Sequence, residues 1–226
     1  RFPRVPWRPE PRTLRALLAL GIPIGLQLGS EVGTFAAAAL MMGMLGAEAL
    51  AAHQVAINVT SLLFMVPLGL GAAAAVRTGQ ALGEGRIDKV GLAGWTALRL
   101  TLCYAALTAV VLGCFGDLVA SLYRLDAGIE ALAVQLLLVA AFFQLGDTVQ
   151  ATAAGALRGL GDTKVPFLLT LGSHVLLALP LAAAGGLVVF RDPLWIWYAL
   201  AVGLTTLAVL LVLRFQFKVR SLETRT

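Results

Sequence analysis

Apolar residues fill six long stretches of the chain, and polar residues gather in the short gaps between them. A membrane-crossing helix needs roughly 20 apolar residues, at 1.5 Å of rise each, to span a hydrocarbon core about 30 Å thick. All six stretches meet that length. The pattern predicts helices over Leu14–Leu45, Ala49–Leu82, Val90–Phe115, Ile129–Leu157, Pro166–Phe190 and Leu194–Leu213. The fold class is therefore an all-α integral membrane bundle of six helices, residues 14–213, flanked by an arm (1–13) and a basic tail (214–226). The connections LGEGRIDK (82–89) and LRGLGDTK (157–164) mix Gly with both charges and read as tight loops. Pro166 suits the first turn of a helix, where its missing N–H costs nothing. The arm RFPRVPWRPEPR has no starting Met and lacks the apolar centre of a signal peptide, so it reads as a linker.

Composition agrees with a bilayer and not with a soluble core: 59% of residues are hydrophobic and 13% charged, and the mean hydropathy is +0.89. Positive charge then orients the bundle, because Lys and Arg near helix ends are retained in the cytoplasm. One side collects Arg1, Arg4, Arg8, Arg12 and Arg15, then Arg77, Arg86, Lys89 and Arg99, then Arg158 and Lys164, then Arg214, Lys218, Arg220 and Arg225. That side holds 15 of the 17 basic residues and leaves Arg124 and Arg191 on the other. Both termini are expected in the cytoplasm, the bundle spanning the cell's inner (plasma) membrane. The net charge of +5 follows from this asymmetry and from anchoring to lipid, and does not indicate nucleic acid.

Against this apolar background two acids stand out. Glu31 lies near the middle of the first predicted helix, with Gln27 one turn before it and Thr34 one turn after. Asp147 lies within the fourth, in FFQLGDTVQAT, with Gln144, Thr148 and Gln150 around it. Each polar stripe must face a partner helix or a wet interior, because lipid does not tolerate an unpartnered carboxylate. Pro23, Gly29 and Gly33 predict local unwinding near Glu31. A carboxylate in low dielectric is costly unless a proton, a cation or a donor compensates it. Such a pair is able to trade a proton against Na⁺ or an organic cation; the plainer alternative is a hydrogen bond that locks the helices together.

Other polar residues carry less. Cys103 and Cys114 sit on one helix, about 16 Å apart in rise, too far to bridge, and read as small buried residues. Arg99 is within snorkelling reach of the interface. His53 reads as a hydrogen-bonded packing residue. Ser173 beside His174 does not make a protease, which needs nucleophile and base on facing elements. The chain has no phosphate-binding Gly loop, HExxH string or paired-Cys motif, so the sequence points away from an enzyme.

The segments LGIPIGLQLGSEVGTFAAAALMMGMLGAEALAAHQVAINVTSLLFMVPLGLGAAAAVRTGQALGEG (20–85) and FFQLGDTVQATAAGALRGLGDTKVP (142–166) resemble the C-terminal half of a multidrug and toxic compound extrusion (MATE) transporter of the NorM type. The resemblance implies twelve helices in two six-helix lobes around a central cavity, this chain supplying the second lobe and needing an N-terminal lobe as its partner. It implies antiport, cationic amphipathic drugs leaving in exchange for Na⁺ or H⁺, with no cofactor beyond that coupling ion. In that family the acids of the lobe's first and fourth helices hold the cation, which here are Glu31 and Asp147, the positions for Na⁺ if Na⁺ is the ion. Gln27, Thr34 and Gln144 then support the site. Gln54, in AAHQ, and Asp126 match positions associated with drug contact. Phe143 stands where some relatives have Tyr, so a ring face is kept but a hydroxyl ligand is absent. Two alternatives remain at this level: a lipid-linked substrate flippase of the same superfamily, which would need basic groups where this chain has acids, and a structural half-transporter without transport of its own.

Overall fold

A computed structural model describes residues 10–224. Arg1, Arg4, Arg8 and Arg225 lie outside that range. Six membrane-length helices follow one another: α1 (Pro11–Leu45), α2 (Ala47–Gly83), α3 (Ile87–Ser121), α4 (Ala127–Gly159), α5 (Lys164–Val189) and α6 (Pro193–Glu223). The links between them are a few residues long, so successive helices run in opposite directions. One face of the bundle therefore carries the start of α1, the end of α6 and the α2–α3 and α4–α5 links; it is called the terminal face below, and the other the distal face. Gly85 and Gly161 close the two terminal-face links at φ +70° and +69°, the left-handed conformation that glycine adopts without a Cβ penalty.

Each helix sits where the apolar pattern predicts it, and several run further. With 37 residues, α2 is about 55 Å long, more than the hydrocarbon core demands. α6 continues ten residues beyond Leu213 because apolar Phe215 and Val219 recur one turn apart and stay buried. The Phe215 ring fills the space left by the missing side chain of Gly94 and meets Trp95 edge-on, with centroids 6.0 Å apart. Asp162, buried in the α4–α5 link, fastens the same stretch: Arg214 Nε donates to its Oδ2 at 2.8 Å, Arg214 Nη2 lies 2.8 Å away and Lys218 Nζ 3.8 Å. α3 also continues past Phe115, where the backbone leaves helical geometry (φ −124°, ψ 16°) and the helix kinks.

Two expectations are corrected. α1 is continuous through Pro23, Gly29 and Gly33, so the acid stands on intact helix and not beside an unwound segment. One proline removes a single donor from a long ladder of bonds that persists on both sides of it. Cys103 and Cys114 are exposed instead of buried, free thiols on the outer side of α3, apolar enough to face lipid. Conversely, α5 departs from regular α geometry in two π segments, Gly172–Ala178 and Ala183–Val189, on either side of Pro180, whose missing N–H interrupts the ordinary ladder.

α4 is the central helix, packed on α2, α3 and α6, and small residues bring it to near backbone contact. A Cβ on Gly155 would strike the Gly71 backbone, and one on Gly146 would lie 2.8 Å from the Thr205 nitrogen. Thr78 Oγ1 donates across to the Ala156 carbonyl at 3.1 Å, and the Thr101 and Thr152 hydroxyls pair at 2.7 Å. The apolar interior forms two clusters. One, toward the distal face, includes Met42, Leu136, Leu137, Phe143, Ile196 and Trp197; the other, toward the terminal face, includes Leu98, Leu157, Leu207, Leu211 and Phe215. On α4 the gap between them is the segment 144–152, where Gln144, Asp147, Thr148, Gln150 and Thr152 are all buried.

Candidate cation site

That polar gap contains Asp147. Its Oδ1 accepts from Gln150 Nε2 at 3.4 Å, three residues along the same helix. On α1 the arrangement repeats: Gln27 Nε2 donates to Glu31 Oε1 at 3.4 Å, one turn away. Asp147 is buried and Glu31 half-buried. The two helices are brought into register by their aromatic residues. Phe35 and Phe143 meet edge-on with centroids 5.9 Å apart. Phe35 is four residues after Glu31, and Phe143 four before Asp147. On helices running in opposite directions, both acids then stand about one turn, roughly 6 Å of rise, to the same side of that ring contact. Glu31 and Asp147 thus share one depth in the bundle.

The atoms able to ligate a cation are oxygens: besides the two carboxylates, Gln150 Oε1 and Gln144 Oε1 are buried without a hydrogen-bond partner, as is the Gln144 amide nitrogen. A buried unpartnered amide costs free energy of its own, on the order of 1–3 kcal/mol, and oxygen donors suit a hard cation. Either a proton or Na⁺ fits such a group: a proton removes one charge from a mutually repelling pair, and Na⁺ could be held by carboxylate and amide oxygens together.

The remaining residues singled out in the sequence fall in different places. Gln27 is buried at the site. Thr34 is buried but donates to the Ser30 carbonyl at 2.8 Å instead of to either acid. Phe143 does not line an open surface: it is 1% exposed, held between Phe35 and Trp197. Gln54 is exposed on α2. Asp126 is exposed at the N-terminal end of α4, 21 residues before Asp147 and so about 30 Å from it along the helix; it is not brought to the acid pair. His53 is a packing residue as expected, accepting from Trp197 Nε1 at 3.1 Å. Trp197 itself was not distinguishable in the sequence from the other aromatics of LWIWYAL; only a contact across 144 residues marks it.

Six membrane-length helices, two of which carry an acid at one depth, define one bundle of a polytopic membrane protein. The MatE family model matches residues 23–184, and the chain belongs to that family. It is 43% identical over 210 residues to a probable multidrug resistance protein NorM of Xanthomonas campestris pv. campestris, covering 92% of this chain and 45% of that protein. It is 37% identical over 213 residues to the multidrug resistance protein MdtK of Yersinia pestis, covering 92% and 47%. The chain thus spans about half the length of the curated relatives it matches. Among solved structures, MATE in the bent conformation aligns with a TM-score of 0.89 at 18% identity, over 97% of this chain and 49% of that one. The outward-facing conformation of a multidrug resistance MATE family transporter of the MOP superfamily aligns at 0.88 and 19%, again over about half its length. The fold is that of half a MATE transporter.

Proposed function

We propose that this chain is one lobe of an antiporter that exports cationic, amphipathic compounds in exchange for Na⁺ or H⁺, and that Glu31 and Asp147 receive the coupling ion. The observation that carries the reading is the placement of two acids from different helices at one depth, each with a carboxamide beside it, in a polar gap between two apolar clusters. When both acids are ionised they repel; an arriving cation relieves that repulsion and draws α1 and α4 together. A drug entering from the other side binds the state in which the acids are empty. Coupling follows because each ligand stabilises a different state, and equal affinity for both would shift nothing.

The active unit would combine this bundle with a second six-helix lobe, as the doubled length of the relatives suggests. The basic residues of the terminal face would place both chain ends in the cytoplasm of a cell bounded by this plasma (inner) membrane. In proteoliposomes of the full-length protein, Glu31→Gln and Asp147→Asn each abolish cation-driven efflux of a fluorescent organic cation. Retention of normal coupled efflux by both variants would refute the assignment.

A further inference from the structure

The acid pair is overlain, toward the distal face, by a continuous file of rings that crosses four helices, half-buried at Phe35 and buried from Phe143 to His53. Phe35 of α1 meets Phe143 of α4; Phe143 meets Trp197 of α6 with centroids 5.3 Å apart; Trp197 meets His53 of α2 at 5.7 Å and donates its indole N–H to His53 Nδ1 at 3.1 Å. Phe143, Trp197 and His53 are each 1% exposed or less. The hydrogen bond is what orients the file. An indole N–H in an apolar interior requires an acceptor, and His53 Nδ1 is the one it has. Because Nδ1 accepts, the imidazole is neutral and carries its hydrogen on Nε2. The indole plane is thereby fixed, and with it the tilt of Phe143, one turn from Asp147, and of Phe35, one turn from Glu31.

At its other end the file reaches the surface. His53 points into the bundle, and Gln54, the next residue and about 100° further round α2, is exposed. A rotation of α2 that loosens His53 from Trp197 therefore moves Gln54 on the outside and frees Phe143 on the inside.

We propose that His53 and Trp197 are positioning residues for the cation site, holding the Phe143–Phe35 pair against the acids and linking ion occupancy to the exposed face of α2 that bears Gln54. Neither residue touches the acids, so both act through Phe143. The proposal rests on the antiport reading above. It differs from a generic packing role in one respect: it requires the acceptor at Nδ1, not the bulk of the ring.

The test uses the full-length protein in proteoliposomes and measures the cation concentration giving half-maximal efflux. His53→Leu and Trp197→Phe, which remove acceptor and donor, each raise it about tenfold, the equivalent of one buried hydrogen bond. His53→Asn, whose side-chain oxygen takes the place of Nδ1, stays within about twofold of the parent on the same scale. A His53→Leu protein with the parent's half-saturation, or a His53→Asn protein as impaired as His53→Leu, overturns the proposal while leaving the acid pair's role intact. The acid pair's own failure reads out separately, as cation dependence surviving in Glu31→Gln and Asp147→Asn. A second measurement does not depend on transport. In a full-length protein whose other tryptophans are replaced by Phe, Trp197 emission shifts on adding Na⁺ or on acidification. That shift is lost in the double variant Glu31→Gln, Asp147→Asn. An emission that ignores the acids, including in variants too unstable to transport, also overturns it.

Discussion

Asp162 offers the most direct test of how the bundle is held together. Its carboxylate, 6% exposed, receives two contacts of 2.8 Å from Arg214 and one of 3.8 Å from Lys218, and so ties the α4–α5 link to the last three turns of α6. Two unit charges about 4 Å apart interact by about 4 kcal/mol at an effective dielectric of 20. The Arg214 side chain is 27% exposed, which screens part of that attraction, and holding the long side chain costs up to about 2 kcal/mol of rotamer entropy. The net coupling between Asp162 and Arg214 comes to about 2 kcal/mol. For a domain of this size that is a fall in Tm of about 4–8 °C for Asp162→Ala. Arg214→Ala alone lowers Tm by a comparable amount, and the double variant is scarcely worse than either. Thermal melting in detergent, followed by size-exclusion fluorescence, supplies all four corners of the double-mutant cycle. Additive effects, or an Asp162→Ala protein melting with the parent, would show that the contacts carry no stability and that packing of Phe215 and Val219 alone maintains the helix.

Three further outcomes follow from the geometry. Gly155→Ala destabilises by about 1–3 kcal/mol because its Cβ meets the Gly71 backbone. Gly113→Ala, which meets nothing within 4 Å, is neutral or stabilising by up to about 1 kcal/mol; melting both in parallel checks the contrast, and equal effects refute it. Phe143→Ala removes a ring packed on two others and costs about 3–5 kcal/mol, read as the largest Tm loss of any single change at the site. If protons and Na⁺ use the same carboxylates, a protonated acid offers no charge to Na⁺. The half-saturating Na⁺ concentration for efflux therefore rises as pH falls, and a value that stays constant at every pH where efflux is measurable rules out a shared site.

Helix number and placement were legible because spanning length is a property of each segment alone. The ends were less so. Hydrophobicity marks where lipid stops, whereas α6 is prolonged by contacts to α3 and to Asp162 that no local pattern encodes. Glu31 and Asp147 were conspicuous as acids amid apolar residues, and their carboxamide neighbours followed from helical spacing. Their common depth was not, since it is set by the meeting of Phe35 with Phe143, and the bond from Trp197 to His53 depends on chain positions far apart. Pro23 misled in the opposite direction: a proline in a helix interior predicts a break, but within a long bonded ladder it leaves α1 whole.

The near-contact of backbones along α4 has a mechanical consequence. Where α4 meets α2 at Gly71 and Gly155, and α6 at Gly146 and Thr205, no layer of side chains lies between the helices to repack. At these contacts the three helices form a frame that travels as a unit, whereas the distal end of α2, which bears His53, lies about 27 Å of rise away from Gly71 and is outside it. α1 is joined differently: at Gly21, Gly25, Gly29 and Gly33 an added Cβ would meet nothing within 4 Å, so that edge is not keyed into its neighbours. One acid is thus mounted on the frame and the other on a helix that is not keyed into it, so the separation of the two carboxylates is set by how α1 seats against its neighbours and not by the frame.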